Sequence, residues 1–290
     1  MATVELYGPD GFSVAAPLLE PRTNPACTAL KDGRVLAGGQ SLVPAMNFRL
    51  ARPETLVDIN RIEGLSEVRS VGDMLAIGAL ARHARFEEPV TDGPLGALLP
   101  KVARQIAHLP IRVRGTFAGS IAHADPAAEW CTLAVGLDAE ILARSASAAR
   151  AIPAARFFKS VFTTDLQHDE IIVEIRLPQL GTDWHCGFQE FSRRAGDFAI
   201  VSALACLRIE NSLIGEARVA LGGVVNRPVR SLKAEEVLAG AKPSPELFRE
   251  AGRRAAMEFT PLGDIHGSAD YKSDLVSVML SRALEQALTS

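Results

Sequence analysis

Over residues 34–59 the apolar residues fall into short runs broken by glycine. RVLA predicts a strand, GGQS a turn, LVPAMNFRLA a helix and TLVDI a second strand. Ser41 stands where it can cap that helix, and Pro44 lies in its first turn, where a missing N–H costs little. EVRSV and MLAIGAL flank Gly72-Asp73, a two-residue turn of hairpin type. LGALLPKVARQIA, near 95–107, has helical apolar spacing. A second glycine turn follows in RGTFAGSIAHADP, and PAAEWCTLAVGL predicts another helix, opened by Pro126. AEILARS and DEIIVEIRLP read as strands, the latter ended by Pro178.

Beyond Pro178 the pattern changes. FQEFSRR, AIVSALACLRIE and GEARVALGGV predict a three-stranded antiparallel meander, with Asn211 and Ser212 in its second turn. Two helical segments close the chain, PELFREAGRRAAME and DLVSVMLSRALEQAL. In the second, Leu275, Met279, Leu280, Leu284 and Leu288 share a face. No internal repeat or low-complexity stretch interrupts the pattern, and the boundary between the two units falls near residue 178.

Composition removes several classes of function. With 48% hydrophobic and 22% charged residues the chain has the make-up of a folded globular protein, not a disordered one. Lys+Arg 31 against Asp+Glu 34 leaves a net charge of -3, without the basic excess of a nucleic-acid binder. Glu5 stands where a secretory signal needs a basic and then an apolar run, and no window approaches the ~18 apolar residues of a membrane span, so a cytoplasmic protein is expected. The four cysteines, Cys27, Cys131, Cys186 and Cys206, are scattered and are expected to be buried free thiols. Their spacing fits neither an iron–sulfur cluster nor a structural zinc.

The chemistry concentrates in the two glycine turns. In Ala37-Gly38-Gly39-Gln40-Ser41, paired glycines permit positive φ, so that successive N–H groups point into one concavity suited to phosphate, with a helix start behind it. Thr116-Phe117-Ala118-Gly119-Ser120 repeats the theme, small residues between two hydroxyls. Two such turns suggest a diphosphate held from two sides. Neither is G-x-G-x-x-G, no G-x-x-x-x-G-K-[ST] occurs, and Val43 stands where a G-x-S-x-G nucleophile motif needs glycine.

VLAGGQSLVPAMNFRLARPETLVDINRI and RGTFAGSIAHADPAAE together resemble the FAD-binding medium subunit of molybdenum hydroxylases. The resemblance is to the branch of aerobic carbon monoxide dehydrogenase, and more distantly to the flavin domain of xanthine dehydrogenase. IGALARHARFE, FSRRAGDFAIVSAL and ALGGVVNRPVRS extend it from about Arg34 to the last helix. It implies an α+β fold: a two-lobed FAD-binding domain of the PCMH type over 1–177 (lobes about 1–60 and 61–177), then a small C-terminal domain of antiparallel strands and helices over 178–290. It implies that both turns bind the FAD diphosphate, that Glu129 holds cofactor hydroxyls with Asp125 as a helper, and that Phe198 lies near the flavin ring. The implied partners are a large molybdopterin subunit and a small subunit with two [2Fe-2S] clusters, assembled as a dimer of heterotrimers.

The chain departs from the family pattern in two places. Relatives usually have I-G-G-[NS] where this chain has Phe117 to Ser120, and many have asparagine at Val113. Alanine at positive φ costs on the order of 1 kcal/mol, so either Ala118 sits at ordinary φ or the second turn is loosened. Several residues admit a plainer reading. His123 is a flavin-side acid or base, or a structural histidine; Phe198 covers the ring or fills core. Arg112 and Arg114 neutralise phosphate or are solvated. Asp58 and Asn60 contact cofactor or form an Asx turn, and Arg193 and Arg194 meet a partner or end a strand. Three functions stand open: an electron-transfer flavoprotein subunit, a self-sufficient FAD-dependent oxidoreductase, and an anion-binding scaffold that has lost its flavin, favoured by Ala118 alone.

Overall fold

The computed structural model describes residues 3–6 and 33–289. Strand β1 (Thr3–Leu6), β2 (Gly33–Leu36), helix α1 (Leu42–Asn47) and β3 (Thr55–Asp58) form a small parallel sheet in the order β1-β3-β2. The strand–turn–helix–strand expectation holds, but the helix is shorter than LVPAMNFRLA implied. It stops at Asn47, because the backbone turns at Arg49 with φ 60. No residue of α1 is buried. Val57, Ile59, Ile62 and Leu65 pack this lobe against Leu80, Leu142, Ile171 and Val173 of the next.

The second lobe is an antiparallel sheet of β4 (Val68–Val71), β5 (Met74–Gly78), β6 (Glu140–Arg144), β7 (Ala149–Pro153) and, later in the chain, a central long strand. Gly72 makes the β4–β5 turn with φ 61, as its sequence predicts. Between β5 and β6 lie α2 (Gly93–Ala103), α3 (Leu109–Arg112), α4 (Phe117–His123) and α5 (Glu129–Gly136). The helix expected near 95–107 is therefore shifted toward the N-terminus. The one expected from Pro126 starts three residues later, because the Asp125 carboxylate accepts from Ala127 N at 2.9 Å and holds Pro126–Ala127 in a turn. After β7 come α6 (Ala154–Phe157), the small hairpin β8 (Phe158–Ser160) and β9 (Thr163–Thr164), and then β10 (Ile171–Pro178), which completes the order β4-β5-β10-β6-β7.

The meander appears as β11 (Trp184–Phe191), β12 (Val201–Glu210) and β13 (Leu213–Gly222), joined by a short edge strand β14 (Val229–Arg230) that the sequence did not signal. Asn211 and Ser212 turn between β12 and β13 with φ 51 and 64. Helices α7 (Leu232–Leu238), α8 (Pro245–Glu258) and α9 (Ala269–Thr289) follow. This sheet is covered on both faces. Along β12, Val201, Ala203, Ala205 and Leu207 join the core made with α8 and α9, whereas Leu204 and Cys206 join Trp130 and Leu133 in the core of the second lobe. Leu275, Met279, Leu280 and Leu284 are buried as expected, but Leu288 is 39% exposed near the end of its helix. Cys131, Cys186 and Cys206 are buried free thiols; Cys27 lies outside the described residues. No described helix is long and apolar enough to cross a membrane.

Candidate functional site

The first turn leaves β2 at Leu36 and reverses at Gly39, whose φ is 72. It is tied down by Asn60, which donates to the carbonyl of Ala37 at 2.9 Å, while its own N–H bonds the Asp58 carboxylate at 2.9 Å. Asp58 and Asn60 thus form the Asx turn of the plainer reading and shape the loop from behind. Gln40 folds back onto the Gly38 carbonyl at 3.2 Å. Ser41 makes no side-chain cap on α1, contrary to expectation, and remains exposed: its φ and ψ, -106 and -46, are already helical, so its hydroxyl is not presented to the first-turn amides.

The two turns meet. A Cβ on Gly38 would lie 2.3 Å from the carbonyl oxygen of Arg114 and 2.7 Å from Gly115 Cα, so only glycine lets the backbones approach this closely. Arg82 holds the junction, donating to Asn60 Oδ1 at 2.7 Å behind the first turn and to the Arg114 carbonyl ahead of the second. The main chain adds an Arg82–Thr116 bridge, with Phe117 N on Ala81 O at 2.9 Å and His83 N on Gly115 O at 3.0 Å. Beneath the turn, Trp130 donates to His83 Nδ1 at 2.9 Å, and its ring stacks on Phe117 at 4.4 Å. Burial, with the charges of Arg82 and Arg112, lowers the His83 pKa to about 4. No recognised motif in the sequence marks Arg82 and His83. Their signal was an Arg-His pair directly after the apolar run of β5, inside IGALARHARFE.

The second turn is the start of α4. Thr116 Oγ1 accepts from Gly119 N at 3.0 Å as its N-cap, and Ala124 closes the helix at φ 54. Ala118 has no positive φ, which resolves the alternative in favour of ordinary backbone and removes the only support for a scaffold without flavin. Among the described residues, the N–H groups of Gly38, Gly39 and Gln40 in one turn and of Ala118 in the other have no partner. With helices of only six and seven residues behind the turns, these amides rather than long helix dipoles carry the capacity for an anion. Ser120 lies on α4, half-buried.

Glu129 begins α5 and is buried. Burial raises its pKa to about 7, with its own backbone N–H opposing and Asp125 adding to the shift. His123 stacks on Phe162 at 4.7 Å; burial lowers its pKa against the pull of Asp125. Phe198 is 65% exposed, so it does not fill core. Arg112 is not a solvated charge: it pairs with Glu87 at 2.7 Å and bonds the carbonyls of Ile106 and Ala107. Arg114 and Arg193 are exposed, the latter 3.4 Å from His266 Nδ1.

This geometry has known counterparts. Residues 9–180 match the family model of the FAD binding domain in molybdopterin dehydrogenase. The chain belongs to this family of FAD-binding oxidoreductase subunits. The family's second module, the CO dehydrogenase flavoprotein C-terminal domain, matches residues 187–287. The 6-hydroxypseudooxynicotine dehydrogenase complex subunit alpha of Paenarthrobacter nicotinovorans is 39% identical over 258 residues, 89% of this chain and 87% of that one. The carbon monoxide dehydrogenase medium chain of Hydrogenophaga pseudoflava is 33% identical over 88% of this chain and 89% of its own length. A solved carbon monoxide dehydrogenase from the same organism superposes with a TM-score of 0.90 at 30% identity, covering 99% of this chain and 97% of that one. Quinoline 2-oxidoreductase from Pseudomonas putida 86 does so with a TM-score of 0.88 at 31% identity, over 100% and 97%. The fold is thus that of the family, a mixed helix-and-sheet FAD-binding unit followed by its C-terminal domain, and the chain is a medium subunit of a multi-subunit molybdenum hydroxylase.

Proposed function

We propose that FAD lies across the two turns and that the chain relays electrons from [2Fe-2S] clusters on a small partner subunit to an external acceptor. The substrate is oxidised on a large molybdopterin subunit, the complex is a dimer of such heterotrimers, and it works in the cytoplasm. Residues 1–177 form the flavin domain and 178–290 the C-terminal domain. Bound FAD supplies two-electron uptake and stepwise release. This chain's residues bind and orient it. The N–H groups of Gly38, Gly39, Gln40 and Ala118 donate to diphosphate oxygens, with Ala37 and Gly119 shaping the two turns. Ser41, Thr116 and Ser120 bring hydroxyls. Glu129 accepts from cofactor hydroxyls, with Asp125 and His123 flanking it. Phe198, exposed, is free to lie against the ring.

The observation that carries this reading is the contact of Gly38 with Arg114 and Gly115, which sets two amide-rich turns edge to edge. In Gly38→Val the side chain meets backbone, not a flexible neighbour, and the turns must part. The purified complex should then have lost its flavin absorption while keeping its subunits together. Full flavin content in that variant removes the proposed site. Turnover of a small molecule by the lone chain, without cluster or molybdenum subunits, supports the self-sufficient oxidoreductase instead.

A further inference from the structure

The strand β11 alternates between two cores. Trp184, Cys186 and Phe188 face the lobe of α2 and α5, so Glu190, in the same phase, faces it too. In the cross-strand register Glu190 lies opposite Ser202 of β12, and Ser202 opposite Gly222 of β13. That row meets the start of α5. Ser202 Oγ is 3.4 Å from Thr132 Oγ1, a Cβ on Gly222 would lie 2.2 Å from the same hydroxyl, and Gly223 N donates to Pro126 O at 2.8 Å. Glu129 is three residues before Thr132 and leaves α5 on the same face. The C-terminal unit therefore carries a second carboxyl to the side of Glu129. Its Oε2 is buried and has no hydrogen-bond partner.

A carboxyl oxygen buried without a partner is costly, and such groups persist where a ligand or a reaction uses them. We propose that Glu190 is an additional cofactor-binding residue, contributed by the C-terminal unit, which holds a proton and donates it in a hydrogen bond to an acceptor atom of bound FAD. This rests on the flavin site proposed above. Charged groups reach this face of β11 from the packed helices and from β13, where Arg218 lies 4.8 Å over the Trp184 ring at the far end of the strand. Lys101 of α2 donates to the Cys186 carbonyl at 3.3 Å, farther along the strand and beside the thiols of Cys186 and Cys206. Glu129 of α5, with Asp125 beyond it, is the group that acts on Glu190. Burial first, and then the charge of Glu129, raise the Glu190 pKa to about 8. At neutral pH the carboxyl is accordingly a donor.

The test is FAD affinity of the cofactor-stripped full chain, titrated across pH by flavin fluorescence, for the wild type, Glu190→Gln and Glu190→Leu. Glutamine keeps a permanent N–H donor in nearly the same volume. The dissociation constants of wild type and Glu190→Gln should agree near pH 6.5; by about pH 9, where roughly a tenth of the glutamic acid remains protonated, the wild type should bind about tenfold more weakly than the amide variant. Glu190→Leu, which has no donor, should bind more weakly than Glu190→Gln at every pH and more weakly than the wild type near pH 6.5, without the wild type's loss of affinity as pH rises. A wild-type to glutamine ratio that stays flat with pH, or a leucine variant with wild-type affinity near pH 6.5, overturns the role of Glu190. If the wild type binds FAD and Gly38→Val abolishes that binding, the flavin site stands whatever Glu190 does. If the wild-type chain does not bind FAD, both readings fall.

Discussion

His83 must be neutral to accept from the Trp130 indole N–H, and its surroundings enforce this: burial first, then Arg82 and Arg112. The folded pKa of about 4 lies below the free value of 6.5, so the unfolded chain binds the proton more readily between these values. The stability this site contributes is complete above pH 6.5 and is lost as pH falls toward 4. The carboxyl pair slopes the other way. Glu129 and Glu190 are raised to about 7 and about 8, so their contribution is complete below the free value near 4.5 and is lost as pH climbs through 7 and 8. In denaturant titrations His83→Gln, which keeps an acceptor without titrating, should remove on the order of 2 kcal/mol of the decline between about pH 6.5 and 4.5. An unchanged acid limb would show that His83 is not the group responsible. None of this was readable from one residue type. A histidine beside an arginine looks solvated until Trp130, forty-seven positions away, is seen to cover it.

At the scale of elements, the second turn works because it is a capped helix start. Thr116→Ala removes the acceptor for Gly119 N and should cost about 1 kcal/mol. Thr116→Ser should restore most of it, as read by thermal melts. If alanine and serine melt alike, the cap is not what orders the turn. Much at this scale was legible, because the signals are local: Gly72 in its hairpin, Asn211 and Ser212 at positive φ, Pro178 ending its strand. The errors were local contests too. Asp125 captured Ala127 N, which delayed a helix that Pro126 was expected to open, and Ser41 joined helical backbone rather than capping it. The edge strand β14 is two residues long and is made by its pairing with Ala220 and Leu221, which no nearby residue announces.

Across the whole molecule, the meander sheet is the common wall of two cores, and it sets where Glu190 stands by how it seats on α9. That seating is tightest at Gly187, where a Cβ would lie 2.0 Å from Ala283 O and 2.9 Å from Ala287 N. Gly187→Ala should therefore force β11 and α9 apart, at a cost of about 1–3 kcal/mol in chemical unfolding, as overpacking does elsewhere. Wild-type stability in that variant would mean that the sheet and helix slide more freely than the contact implies. The amino-acid order by itself determined what acts over a few residues: apolar period, turn chemistry, paired glycines and the family motifs they build. Tertiary structure alone decided that Gly38 touches Arg114, that Arg82 ties both turns, and that Glu190 lies beside Glu129 with an oxygen left without a partner. The reason is physical: burial and electrostatic coupling depend on distance through space, which the packing of remote segments sets and local sequence does not encode.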